Sequence, residues 1–109
     1  MSKSIEDLYE AVMHERGADP AKSPTARLFD GGRTKMAKKL VEEAAEVSLE
    51  SALNNRDEVV NESVDMLYNW VVLLADMGIR PSEIWHEMTR REELLGIAGK
   101  LPKKAVAAR

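Results

Sequence analysis

Residues 35–77 read KMAKKLVEEAAEVSLESALNNRDEVVNESVDMLYNWVVLLADM, which is two long helical patterns separated by Asn54 and Asn55. One apolar face runs along the first pattern, through Met36, Leu40, Ala44, Val47 and Ser51. The second pattern is apolar on nearly every side between residues 66 and 75, except at Asn69. Such a stretch is typical of a central, buried helix. Because the link between the patterns is short, we expect two antiparallel neighbouring helices.

Shorter helices are expected on both sides of this pair. Ser4 is a favourable N-cap for a first helix that stops at Gly17, and Pro81 fits the first turn of a last helix that reaches Leu95. Residues 17–33 have no helical period and contain two prolines and two adjacent glycines, so we expect a long loop there. Loops of this length are usually functional. The expected fold is therefore all-α, a four-helix bundle.

Length and composition narrow the classes of protein. The 109 residues predict one domain over 1–99, followed by a basic, flexible tail over 100–109. The absence of cysteine excludes disulfides, thiol catalysis and cysteine-based zinc sites. A net charge of −3 argues against nucleic acid as a partner. The longest apolar run, 70–75, is too short to span a bilayer, and residues 1–10 lack a signal-peptide core. We therefore expect a cytoplasmic protein without a membrane partner.

Two pairs of carboxylates carry the strongest chemical signal. Glu43 and Glu46 are three residues apart on the first long helix, and Glu62 and Asp65 have the same spacing on the second, so each pair shares a helix face. The pairs lie at similar distances from the link and can meet at one level. Four converging carboxylates repel one another unless a cation lies among them. Carboxylate oxygens without histidine or cysteine suit Mg²⁺, with Mn²⁺ as a substitute.

The alternative is that these acids are solvated faces of charged helices, as in most glutamate-rich helices. Three features favour the metal site. The like charges lack interleaved lysines that would form ordinary surface pairs, the second acidic pair lies on the most apolar helix, and both pairs use the same spacing. Asn69, one turn beyond Asp65, is either a buried hydrogen-bonded amide or a partner that orients the ligands.

The loop and the acidic motifs together resemble a known family. The residues concerned are Ser23-Pro-Thr-Ala-Arg-Leu-Phe29, Gly32, Lys35, Lys39, Glu42-Glu-Ala-Ala-Glu-Val47 and Glu62-Ser-Val-Asp-Met-Leu-Tyr68. Over about residues 4–96 the chain is similar to phosphoribosyl-ATP pyrophosphohydrolase of histidine biosynthesis. The acidic motifs alone indicate only the wider all-α nucleoside-triphosphate pyrophosphohydrolase (MazG-type) superfamily. The loop, the glycine and the lysines narrow the resemblance to the phosphoribosyl-ATP enzyme.

The resemblance implies a dimeric, Mg²⁺-dependent hydrolase that converts phosphoribosyl-ATP to phosphoribosyl-AMP and pyrophosphate. The metal ligands that it implies are Glu43, Glu46, Glu62 and Asp65. For such chemistry Glu42, about 100° around the helix from Glu43, is expected to orient or deprotonate the attacking water. The groups expected to contact the phosphates are Arg27, Lys35 and Lys39. Residues 17–33 are then the expected lid or substrate-selecting segment.

Two positions depart from the family pattern. Val41 stands where the family often has glycine before the acidic pair, and Asn69 stands where it usually has histidine. An asparagine can replace one of that histidine's hydrogen bonds, so Asn69 is also expected to take part in substrate binding.

Two rival functions stay open on the sequence alone. A MazG-type house-cleaning enzyme would keep the four carboxylates and act on non-standard nucleoside triphosphates, whereas a non-catalytic helical interaction module would not depend on divalent metal. A homodimer is also favoured by the second long helix, because it is apolar on more sides than three neighbouring helices would cover.

Overall fold

The structure, a computed structural model, describes residues 4–96. This part of the chain contains five α-helices and no strand: α1 (Ile5–Glu15), α2 (Pro24–Asp30), α3 (Arg33–Ala52), α4 (Arg56–Met77) and α5 (Pro81–Leu95). The predicted all-α class is therefore confirmed. The tail predicted over 100–109 lies outside the described residues, and the single domain over 1–99 stays a prediction.

The hairpin of α3 and α4 forms as expected. Their link spans residues 53–55, in which Asn54 takes a left-handed conformation with φ 57°. Asn55 occupies the N-cap position of α4, but its side chain does not cap the helix. The side-chain nitrogen Nδ2 of Asn55 donates to Glu50 Oε1 at 3.2 Å instead. At the other end α4 stops at Gly78, which adopts the left-handed conformation that a C-terminal glycine permits.

The core lies where α1 crosses the C-terminal half of α4. Its fully buried members are Tyr9, Val12, Met36, Val71, Val72 and Ala75. The prediction of a buried helix is correct for this half, in which Val71 is 0% exposed. On the same face, Val60 and Val64 are 64% and 63% exposed in the described chain, because the eleven residues of α1 are too few to cover all of α4.

The segment expected to be a loop contains a helix, α2, so the prediction of a structureless 17–33 is wrong. The Ser23 hydroxyl accepts from the Ala26 amide at 3.1 Å, and Pro24 takes the first helical position. Leu28 and Phe29 then pack against the core. Seven residues are too few to display a helical period, which is why hydrophobic periodicity alone misses this helix.

Both ends of the segment are fixed to the end of α4. Arg16 Nη1 donates to the Ala75 carbonyl at 2.8 Å, and Arg16 Nη2 lies 3.7 Å from Asp76 Oδ1. Arg33 Nε donates to Asp76 Oδ2 at 2.7 Å. The Arg16 guanidinium also stacks over the Phe29 ring, 4.8 Å from its centroid. One carboxylate thus joins the residues that precede and follow the segment 17–32.

The described chain divides into two units after Ile79, and α5 forms the second by itself. As predicted, Pro81 begins this helix, and the Glu83 carboxylate accepts from the Arg80 amide at 2.9 Å. Hydrogen bonds from Arg90 and Arg91 lower the pKa of Glu87 to about 2.

Among residues 4–96, no helix has the length and apolar character needed to cross a membrane.

Candidate metal centre

Three carboxylates converge between the two long helices. Glu43 lies on α3, and Glu62 and Asp65 lie on α4; one oxygen from each falls within 4.8 Å of the others. Glu43 and Asp65 are equally far from the two ends of the interhelical link, so the antiparallel hairpin places them at the same level. We call these three residues the acidic cluster. Oxygen donors of this kind are the set that hard divalent cations prefer.

Burial and charge repulsion act together on Glu62 in the acidic cluster. Burial raises the pKa of Glu62 above its ordinary value, and the negative charges of Asp65, Glu43 and Glu46 raise it further. A hydrogen bond with Glu43 acts in the same direction. The neighbouring negative charges therefore disfavour the ionised form of Glu62, an effect that a cation bound among them would oppose.

The two remaining acids of the predicted site lie beside the cluster. Glu46 is close enough for its charge to act on Glu62, but it is not one of the three residues whose oxygens converge. Glu42 precedes Glu43 on α3 and is exposed to solvent. Its carboxylate is therefore accessible to water.

The predicted cationic residues lie on α2 and on the first half of α3. Lys39 Nζ is 3.8 Å from Glu43 Oε1, so a lysine at helical spacing does pair with one member of the cluster, contrary to the expectation from sequence. Arg27 is exposed on α2, where its Nε donates to the Pro20 carbonyl at 3.1 Å. Lys35 is exposed in the first turn of α3, with its aliphatic stem beside Gly31.

Asn69 is a buried, hydrogen-bonded amide. It is 6% exposed, and its Nδ2 donates to the carbonyl of Asp65 at 2.8 Å, one helical turn earlier. The sequence left two interpretations open, a buried hydrogen-bonded amide and a partner that orients the ligands. This contact fits both, because the amide has a hydrogen-bond acceptor within its own helix and that acceptor is the backbone of an acidic-cluster residue. The role of Asn69 in substrate binding stays a prediction.

The structure adds a contact that sequence reasoning missed. Thr25 Oγ1 and Tyr68 Oη form a hydrogen bond of 2.6 Å between α2 and α4. The two residues are 43 positions apart, so local spacing holds no signal for the pair. The adjacent Ser23-Pro24 dipeptide, a good N-cap followed by proline, was the signal that could have located α2 itself.

Comparison with known proteins places the chain in a family. The family model described as phosphoribosyl-ATP pyrophosphohydrolase matches residues 5–92. A phosphoribosyl-ATP pyrophosphatase 2 of Bradyrhizobium diazoefficiens is 58% identical over 97% of this chain and 79% of its own length. Its namesake in Rhodopseudomonas palustris is 55% identical over 97% and 81%, respectively. A phosphoribosyl-ATP pyrophosphatase of Paramagnetospirillum magneticum is 45% identical over 88% of both chains. The resemblance drawn from the motifs is thus confirmed, and the chain belongs to the phosphoribosyl-ATP pyrophosphohydrolase family.

Proposed function

We propose that this protein hydrolyses phosphoribosyl-ATP to phosphoribosyl-AMP and pyrophosphate, an early step of histidine biosynthesis. Family membership supports the enzyme class and the substrate. The convergence of Glu43, Glu62 and Asp65 is the structural observation that carries the proposal. Three carboxylates brought this close repel one another and lower the stability of the fold, but they are suited to holding a cation against phosphates.

The donor set fits Mg²⁺, which we propose as the cofactor, with Mn²⁺ as a substitute. The residues that would hold it are Glu43, Glu46, Glu62 and Asp65. Bound there, a divalent cation supplies positive charge to the phosphate oxygens on which negative charge develops during cleavage. A carboxylate with a raised pKa binds a cation with release of its proton, so metal affinity should rise with pH.

The chain's own residues supply the other requirements of the reaction. Water adds its oxygen to the α-phosphorus, and the bond from that phosphorus to the bridging oxygen breaks, so that pyrophosphate leaves. Glu42 orients the attacking water or takes its proton. Lys39 and Lys35 are placed on the α3 face that leads to the acidic cluster, where they contact the triphosphate, and Arg27 contacts the ribose phosphate.

A homodimer is part of the proposal. Val60, Val64 and Leu67 continue the apolar stripe that α1 covers further along α4, yet they are exposed in the described chain. Val41, Leu49 and Leu53 are exposed on α3 as well. A second copy laid against these residues would bury apolar surface of the kind that dimers use. A monomer by light scattering at micromolar concentration would contradict this part. We further propose a cytoplasmic enzyme that binds neither membranes nor nucleic acid.

The decisive experiment measures pyrophosphate release with Mg²⁺. Phosphoribosyl-ATP is compared with a panel of standard and non-standard nucleoside triphosphates, and Glu43→Gln is compared with Glu93→Gln, a matched change at an exposed acid on α5. We expect preference for phosphoribosyl-ATP and loss of activity only in Glu43→Gln. Preference for a non-standard triphosphate would favour the house-cleaning alternative. No release from any substrate would favour the non-catalytic module.

The cationic residues are tested separately. Arg27→Ala and Lys39→Ala should each raise KM about tenfold while circular dichroism stays unchanged, because neither side chain belongs to the core. Lys38→Ala, at an exposed neighbouring lysine on α3, is the matched control and should keep the wild-type KM. Unchanged kinetics in both test variants would assign the phosphate contacts to other residues, with Lys35, Arg90 and Arg91 the next to be replaced.

A further inference from the structure

The hydrogen bond between Thr25 and Tyr68 joins the two parts of the proposed site. Thr25 lies in the first turn of α2, the helix that carries Arg27. Tyr68 lies on α4 one turn after Asp65, and residues three apart on a helix share a side. The contact therefore connects the segment that carries a predicted substrate-binding residue to the helical turn that carries part of the acidic cluster.

Each of the two hydroxyls is held in place by the packing of its own side chain. Thr25 is buried, and it follows Ser23, whose buried hydroxyl caps α2. The ring of Tyr68 packs against the core, and this packing restricts the positions that its hydroxyl can take. Their separation of 2.6 Å is at the short end of the range for hydrogen bonds between hydroxyl groups. A tyrosine fixed at its ring and bonded at its hydroxyl is well suited to act as a spacer between helices.

The rest of α2 is attached differently. Leu28 and Phe29, at its C-terminal end, pack against the core. Apolar packing holds that end but leaves rotation about the contact possible, because it is not directional. The hydrogen bond at Thr25 supplies a directional attachment at the opposite end. With both ends fixed, Arg27 is presented at a defined position relative to α4.

We propose that Tyr68, acting through Thr25, is a positioning residue that sets the affinity of this enzyme for the ribose-phosphate part of its substrate. The proposal rests on the proposed function. Loss of the Tyr68 hydroxyl frees the N-terminal end of α2 and weakens binding of the ribose phosphate by Arg27. The acidic cluster and the rate of cleavage of bound substrate are preserved. The effect is thus on KM and on the preference for phosphoribosyl-ATP over ATP, and not on kcat.

The kinetic test uses a double-mutant cycle. Tyr68→Phe and Thr25→Val each remove one hydroxyl and keep the side-chain shape. Each should raise KM for phosphoribosyl-ATP by about two- to tenfold, the worth of one hydrogen bond, with kcat within about twofold of wild type. The double variant should be no worse than either single variant, because both break the same bond. Thr25→Ser should keep the wild-type KM, and Thr89→Val, at an exposed threonine on α5, is the matched control.

A second measurement needs no substrate. Backbone hydrogen exchange over residues 23–31 should be faster in Tyr68→Phe and Thr25→Val than in wild type, while exchange in the α3–α4 hairpin stays the same. Unchanged exchange in this region, or KM effects of the two substitutions that multiply in the double variant, would overturn the proposal. So would a fall in kcat at constant KM, since that result would place Tyr68 in the cleavage step.

The two measurements separate this inference from the proposed function. If wild type releases no pyrophosphate from phosphoribosyl-ATP, the proposed function fails and the statement about KM fails with it, whereas the exchange experiment still reports whether Tyr68 holds α2. If wild type is active and Tyr68→Phe keeps both its KM and its substrate preference, the proposed function stands and only the positioning role is overturned.

Discussion

Two carboxylates on α4 have opposite surroundings although they lie on nearly the same side of the helix. Asp65 faces Glu43 and Glu62, whereas Asp76, about three turns later, binds Arg16 and Arg33. Asp65 is the more exposed of the two, since it lies at the surface and the side chain of Asp76 is only 17% exposed. Their charged partners differ as well. Asp76 binds two arginines and links elements of the fold, whereas the acidic cluster brings three like charges together with Lys39 beside Glu43.

The largest effect is expected from breaking the acidic cluster. Glu43→Gln removes one charge at nearly constant shape and should reduce kcat/KM by about a hundredfold or more, the scale seen when a group that stabilises transition-state charge is removed. Steady-state pyrophosphate release measures it. Activity within about threefold of wild type would show that Glu43 is not part of the machinery.

Metal binding should stabilise the folded state. At an Mg²⁺ concentration about a hundred times its dissociation constant, a ligand that binds only the folded chain adds about 2.7 kcal/mol to the free energy of unfolding. Wild type should therefore melt at a clearly higher temperature with Mg²⁺ than with chelator, and the rise should shrink in Glu43→Gln. Equal shifts in the two proteins would show that Glu43 is not a ligand.

Asp76→Asn tests the other side of the comparison. It weakens the ion pairs with Arg16 and Arg33 and should lower the free energy of unfolding by about 1–2 kcal/mol, with or without Mg²⁺. Metal-free Glu43→Gln should instead be as stable as wild type or slightly more stable, because it relieves repulsion. Urea unfolding in chelator compares the two, and a loss of stability in both would remove the proposed distinction.

The smallest expected effect is a pH dependence. The pKa of Glu62 is raised in the folded chain above its ordinary 4.5, so the stability that it contributes is present below that pH and is lost as pH rises through the folded-state pKa. In chelator, Glu62→Gln should become more stable relative to wild type as pH rises from about 4 to 8. With saturating Mg²⁺ the trend should reverse, since the cation favours the ionised carboxylate. A difference that does not change with pH would contradict the raised pKa.

Local signals in the sequence were sufficient for several helix ends and for part of the site. Ser4, Gly78 and Pro81 mark ends by their own backbone and capping chemistry, and each does so in the structure. Identical ExxE/D spacing on an antiparallel hairpin also predicts that Glu43, Glu62 and Asp65 converge, as they do. Glu46 was expected with them, but helical spacing fixes only the direction of a side chain and not the position of its terminal oxygens.

The missed features depend on contacts between distant residues. The helix α2 is held by Leu28 and Phe29, which reach a core made by other elements, so the Ser23-Pro24 signal could mark its start but hydrophobic periodicity could not reveal it. The pairing of Asp76 with Arg16 and Arg33 likewise joins residues far apart in the chain. Periodicity and capping describe neighbours in sequence, and these contacts are set by the packed fold.

Arg16 and Arg33 both bind the carboxylate of Asp76, and this shared contact has an evolutionary consequence. A segment whose two ends are already held together can change length at little thermodynamic expense, because loop-closure entropy grows only by about 0.6 kcal/mol for each doubling. Such changes of length are expected between Arg16 and Ser23, before α2 begins, whereas Thr25, Leu28 and Phe29 are held by Tyr68 and the core. A lineage can therefore insert or delete residues at the start of this segment while the hairpin that carries the acidic cluster keeps its geometry.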